Sequence, residues 1–142
     1  MRTIKFRGKR IDNGEWVYGY FVGTTDSVAI IIPFEKVNYD VGYIGDSECC
    51  YCFPETIGLF TGLYDKNGNE IYEGDIIGCH NPSIKHLIFY NEKQGRFMAA
   101  LNGDIENDFV GVCGLDDSRW NASKEVIGNI HDNPELLKGG NK

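Results

Sequence analysis

The side chains best equipped for chemistry are five cysteines, Cys49, Cys50, Cys52, Cys79 and Cys113, and three histidines, His80, His86 and His131. A C-C-x-C cluster followed by Cys79-His80 offers soft ligands, and a zinc ion would draw on Cys49, Cys52, Cys79 and His80. The spacing argues against it. No second C-x-x-C pair accompanies Cys49 and Cys52, and the adjacent Cys49 and Cys50 point to opposite sides of a strand. An odd count with no apolar leader also argues against a disulfide framework, so reduced thiols packed as small hydrophobes are expected, with no cofactor. Catalysis finds as little support. Cys79 and His80 are neighbours that face opposite ways on a strand, and no G-x-S-x-G elbow, Walker loop or G-x-G-x-x-G turn occurs. The run Asp65-Lys66-Asn67-Gly68-Asn69 imitates the opening of a calcium loop. It then places Glu70 where glycine is required and Ile76 where glutamate is required, so it reads as a hairpin turn. Asp104, Glu106 and Asp108, and the pair Asp116-Asp117, read as solvated acidic loops. The chain is therefore expected not to be an enzyme.

Binding is the other class of chemistry, and here the charge distribution is informative. Arg2, Lys5, Arg7, Lys9 and Arg10 are five of the 14 basic residues and have no acid among them. The other nine face 21 acids, so the net charge of −7 divides into +5 over the first ten positions and −12 over the rest. Just beyond the strip, Trp16, Tyr18 and Tyr20 alternate with Val17, Gly19 and Phe21. The basic strip could be a solvated strand edge, a phosphate rim beside a base-stacking face, or a patch complementary to the acidic body of a second copy. The aromatic row could equally be core or a self-association surface.

These residues must be carried by strands. Hydrophobic residues are 42% and charged residues 25% of 142, as in a soluble globular domain. A chain of this length buries roughly two thirds of its unfolded surface. No apolar run of about 18 residues is present, so no membrane span is expected, and the opening MRTIKFRGKR lacks the apolar stretch of a secretory signal. Thr3–Arg7 alternates, with Ile4 and Phe6 opposite Lys5 and Arg7. Asp12-Asn13-Gly14 turns into a strand at Glu15–Val22 that is apolar on both faces, and Val28–Pro33 reads as a buried strand. Glu35–Cys52 is irregular. Then come short strands at Thr56–Leu63, Glu70–Tyr72, Ile76–His80, Lys85–Tyr90, Arg96–Leu101, Phe109–Cys113 and Glu125–Ile130. Asn133 and Pro134 announce a short helix over Glu135–Lys138, closed by Gly139-Gly140. Asn121–Ile127 is a weaker helical stretch. Short strands with turns every 8–12 residues indicate an all-β barrel or sandwich.

The string TGLYDKNGNEIYEGDII at Thr61–Ile77, EVIGNIHDNPELL at Glu125–Leu137 and the opening MRTIKFRGKR with GEWVYGYF together resemble the YopX family of phage and prophage proteins. CFPETIG at Cys52–Gly58 sits where that family leads into its T-G-L-x-D motif, while Val28–Cys50 and Asn81–Ser118 are not covered. The resemblance implies a mostly β fold, with an SH3-like or partial-barrel C-terminal part, one or two short helices, and an N-terminal subdomain that self-associates. It implies no enzymatic activity. The motif residues Thr61, Gly62, Leu63, Asp65, Asn67, Gly68, Glu70, Ile71, Tyr72, Glu73, Gly74 and Asp75, with Gly128, Asn129, Asn133 and Pro134, read as scaffold. The glycines permit turns, Asp75 braces a corner, and Ile71, Ile76 and Ile77 are core.

The expected organisation is an N-terminal β subdomain over 1–55, a C-terminal one over 56–138 and a disordered tail over 139–142. The expected function is that of a cytoplasmic phage or prophage accessory protein, a self-associating, non-enzymatic binding module without contact to membrane. Two alternatives remain. One is nucleic-acid binding through the basic strip and the Trp16, Tyr18 and Tyr20 face. The other is an acidic inhibitor that mimics DNA on a host protein.

Overall fold

A computed structural model describes residues 3–37, 49–79, 83–107, 109–111 and 124–138. Arg2, His80, Cys113, Asp108, Asp116, Asp117 and the tail expected at 139–142 lie outside the described residues. The chain divides into two compact units, Met1–Phe60 and Thr61–Lys142. The sequence placed this division between 55 and 56. The first unit extends further because Phe6 and Arg7 pair with Leu59 and Gly58.

The first unit is built from β1 (Phe6–Lys9), β2 (Trp16–Thr24), β3 (Ala29–Pro33), β4 (Cys50–Cys52) and the start of β5 (Gly58–Tyr64). They form one antiparallel sheet in the order β4-β3-β2-β1-β5. The Asp12-Asn13-Gly14 segment turns as expected. Gly14 has a φ of 73°, its amide donates to the Arg10 carbonyl at 2.9 Å, and the Asn13 side chain accepts from the Glu15 amide at 2.9 Å. The sheet curls without closing. A lone bridge joins Arg10 to Cys52, and the Ile11 and Phe53 amides donate to the carbonyls of Tyr51 and Lys9, both at 2.9 Å. The inside of the curl is the core: Ala29, Ile31 and Cys52 are fully buried against Phe6, Val17, Phe21 and Ile57.

The second unit begins with the remainder of β5, which pairs with β6 (Glu70–Tyr72). Its main sheet holds β7 (Asp75–Gly78), β8 (Lys85–Asn91), β9 (Arg96–Leu101), β10 (Phe109–Gly111) and β11 (Glu125–Asn129), in the order β10-β9-β8-β7-β11 and antiparallel throughout. Helix α1 (Glu135–Lys138) follows β11. Ile71, Ile77, Ile88 and Ala99 are buried together, with Leu63, Phe97 and Val126 packed on them. A fully buried side chain of this size contributes about 1.5–3 kcal/mol.

The mostly β class stands, with two antiparallel sheets and no closed barrel among the described residues. Among the described residues, the C-terminal sheet is open, with β10 and β11 as its margins. The curled sheet is the N-terminal one. Periodicity sets which face of a strand is apolar, not which edges meet, so it does not say whether a sheet closes. Residues 125–127, read weakly as helical, belong to β11.

Candidate functional site

The ladder between β1 and β2 decides where the basic strip lies relative to the aromatic row. Arg7 stands opposite Tyr18 and Lys9 opposite Trp16. Residues directly opposite in an antiparallel pair share a face, and Lys5, two positions before Arg7, shares it too. Tyr20 stands opposite Ile32, and Ile30 opposite Tyr51. Lys5, Arg7, Lys9, Trp16, Tyr18, Tyr20 and Tyr51 therefore occupy the outer face of the curled sheet, away from the core of Phe6, Val17, Phe21 and Ile31.

This face is partly open. Tyr18, Tyr20 and Tyr51 are 43%, 39% and 56% exposed, and Val22 is 58% exposed beside a β-bulge between Phe21 and Gly23. Tyr18 and Tyr20 are therefore not buried core. Trp16 is half-buried. The guanidinium carbon of Arg7 lies 4.7 Å from its ring centroid, and Arg7 is only 6% exposed. Such a cation–π contact contributes about 0.5–2 kcal/mol and locks the ring. Lys5 Nζ lies 5.1 Å from the Phe60 ring centroid, and Tyr20 meets Phe34 edge-on at 4.8 Å. Lys9 is half-buried, and its backbone amide donates to Thr56 Oγ1 at 2.9 Å. Arg10 turns away to a fork on Asp12, donating from Nε at 3.0 Å and from Nη2 at 2.7 Å. That hydrogen bond lowers the Asp12 carboxyl and raises the Arg10 guanidinium from their ordinary pKa values.

The thiols sit at one end of the same sheet. Cys52 is buried in the core, where desolvation pushes its pKa up to about 11. Burial likewise raises Cys50. A thiol held protonated in this way is a poor nucleophile and a poor ligand. Cys50 and Cys49 border a cleft of about 450 Å³, lined also by Arg10, Glu15, Trp16, Glu35 and Lys36. Of the expected zinc set, Cys79 is half-buried with its thiol 4.0 Å from the Ile84 carbonyl. His80 is outside the described residues. Among the described residues, no group of three or more His, Cys, Asp or Glu could hold a metal.

The motif residues of the second unit are brought together by Asp65. Its carboxylate is 5% exposed and accepts four hydrogen bonds. Oδ1 takes the amides of Asn67 at 2.9 Å and Asn69 at 2.8 Å, and Oδ2 takes the Val126 amide at 2.9 Å and Asn69 Nδ2 at 3.2 Å. Burial pushes this carboxyl up, but the bonds from Val126, Asn69 and Asn67 outweigh it and the pKa is lowered. All four donors are N–H groups, so the carboxylate organises a turn where a calcium loop would direct oxygens at an ion. Lys66 N donates to the Lys124 carbonyl at 3.0 Å, and Asn67 Nδ2 to Glu125 at 3.3 Å. Two segments about sixty residues apart are thus tied by one turn. Asp75, 1% exposed, accepts the Tyr72 amide at 2.7 Å and braces the corner at Gly74, whose φ is 95°. Tyr72 donates its hydroxyl to Glu70 at 2.9 Å, and Thr61 Oγ1 donates to the Ile71 carbonyl at 2.7 Å. Asn129 and Asn133 close the far end. Asn133 Oδ1 accepts the Asn129 amide at 3.2 Å, and Asn129 Oδ1 accepts the amides of His131 and Asp132 at 3.0 and 2.9 Å. Gly128 is required there, because a Cβ would fall 2.6 Å from Asn133 Oδ1.

Tyr51 belongs to the exposed face but was not singled out from sequence. Alternation in Cys50-Tyr51-Cys52 was the available signal, since a core-facing Cys50 and Cys52 put Tyr51 outside.

Fold and site define a mostly β protein with an aromatic sheet face in one unit and a densely hydrogen-bonded scaffold in the other. The chain belongs to the YopX protein family, whose model matches residues 5–138. Among solved structures it is similar to the crystal structure of protein EF1440 from Enterococcus faecalis. The two are 25% identical, 96% of this chain and 99% of that chain are covered, and the TM-score is 0.53. No curated protein matches the chain.

Proposed function

We propose that this protein is a non-enzymatic binding module of a phage or prophage element, acting in the host cytoplasm through the outer face of its N-terminal sheet. The observation that carries the reading is the β1–β2 register, which sets Lys5, Arg7 and Lys9 beside Trp16, Tyr18 and Tyr20 on a face where tyrosines are exposed. The carboxylates of the family motif support the non-enzymatic part, since Asp65 and Asp75 are engaged with backbone amides. The raised thiols support it as well.

The split of charge favours a second copy as one occupant of this face. The placement of the cations tempers that argument: Arg10 is matched by Asp12 within its own turn, and Arg7 lies under cover against Trp16. Light scattering across micromolar concentrations tests self-association, using the natural chain and a Tyr18→Ser/Tyr20→Ser variant. Self-association through the face gives a mass that rises with concentration in the first and stays monomeric in the second, with equal melting temperatures. A strict monomer in both removes the second copy. A variant that cannot fold shows the row to be core and removes the working surface altogether.

A further inference from the structure

We infer that the outer face of the N-terminal sheet takes extended single-stranded nucleic acid, bases on the tyrosine rings and phosphates toward Lys5 and Lys9. The inference rests on that face being the working surface and adds the chemistry of its occupant. Three features of the geometry carry it.

The first is spacing. Trp16, Tyr18 and Tyr20 are alternate residues of one strand, so their origins are roughly 6.6 Å apart. Stacked bases in a duplex rise about 3.4 Å. One base per ring therefore requires a strand drawn out to about twice the duplex rise, which an unpaired strand reaches and a duplex does not. The second is the relation of charge to ring. Neighbouring strands lie about 4.8 Å apart, so β1 sets the half-exposed Lys5 and Lys9 alongside the row of rings, with Lys9 paired to Trp16. Aromatic platforms with a basic track alongside are how sequence-tolerant single-strand binders work. The third is what lies on the far side of the rings. Tyr51, more than half exposed, extends the aromatic row across β3 to β4. Arg7 does not reach outward. It is held against Trp16 and fixes that ring for stacking.

The probe is a fluorescein-labelled oligothymidylate, followed by anisotropy with the full chain, beside the same label in a duplex. The single strand binds more tightly than the duplex. Two phosphate contacts weaken its binding about sevenfold between 50 and 200 mM salt. Tyr18→Ala with Tyr20→Ala lowers affinity by at least about tenfold, and Lys9→Glu, which leaves the rings in place, lowers it and flattens the salt dependence. No binding of the single strand at 50 mM salt overturns the inference, and so does equal binding by a folded double-tyrosine variant. Light scattering on the same samples separates the two readings. If the tyrosine variant dissociates an oligomer while no oligonucleotide binds the natural chain, the face belongs to a second copy, and the working surface survives without its nucleic acid.

Discussion

The two units use their polar and aromatic residues in opposite ways. In the second unit, side chains that look chemically capable are turned inward on the backbone. Asp65 gathers four N–H donors from two distant segments, Asp75 holds a corner, and Asn129 and Asn133 knit the end of β11 to the turn before α1. In the first unit the core is a compact apolar cluster, and the residues with recognition chemistry stand on the other face, with Tyr18, Tyr20 and Tyr51 open to solvent. On the proposed reading, the long, specific motif marks the unit whose turns are tied by buried hydrogen bonds, and the less distinctive unit presents the exposed aromatic face.

That contrast can be broken by substitution. The largest loss of stability is expected at Gly19, where a Cβ would overlap the Ile32 carbonyl oxygen on the neighbouring strand. Gly19→Ala must part β2 from β3, and about 3 kcal/mol or more is expected by denaturant unfolding. Asp65→Ala is expected to cost about 2–4 kcal/mol, because it leaves several partly buried amides without their acceptor. Gly128→Ala should cost about 1–3 kcal/mol through overpacking on Asn133 and Leu136. Tyr18→Ser with Tyr20→Ser should move stability by less than about 1 kcal/mol, since both rings are partly exposed. If the tyrosine pair proved as costly as Asp65, the distinction between surface and scaffold would fall.

The acid limb of stability sharpens the same contrast. Asp65 is lowered in the folded state, so its contribution is fully present above the carboxylate's unfolded value of about 3.9 and fades as pH falls through the folded value. A urea series from pH 6 down to pH 2 should show stability falling in that window, and Asp65→Asn should flatten part of the fall. An unchanged slope in that variant would mean the carboxylate does not carry charge-dependent stability. The Arg10–Asp12 fork is a surface pair with side chains 34% and 63% exposed, and Asp12→Asn should leave the melting temperature where it was.

Much of the architecture could be read from local pattern. Alternation separated Phe6 from Lys5 and Arg7, and Val17 and Phe21 from Trp16, Tyr18 and Tyr20, without saying which face is core; the Asp65–Asn69 run announced its turn, and Asn133-Pro134 led to a helix at Glu135–Lys138. What escaped was long-range. Nothing local says that Asp65 accepts the amide of Val126, or that Arg10 bridges Cys52 and curls the first sheet. The site was half legible. The basic and aromatic rows each stood out, but only the register puts them on one face, and only packing shows that Arg7 is covered while Lys5 and Lys9 stay half-open.

The central claim is that recognition belongs to the outer face of the N-terminal sheet and scaffolding to the second unit. Backbone amide chemical shifts, followed while unlabelled oligothymidylate is added to the isotopically labelled chain at low salt, test it most directly. The account predicts saturable changes at Lys5–Lys9, Trp16–Tyr20 and Tyr51, with the amides of Asn67, Asn69 and Val126 unmoved. Changes centred on those three amides, or none anywhere, would contradict it.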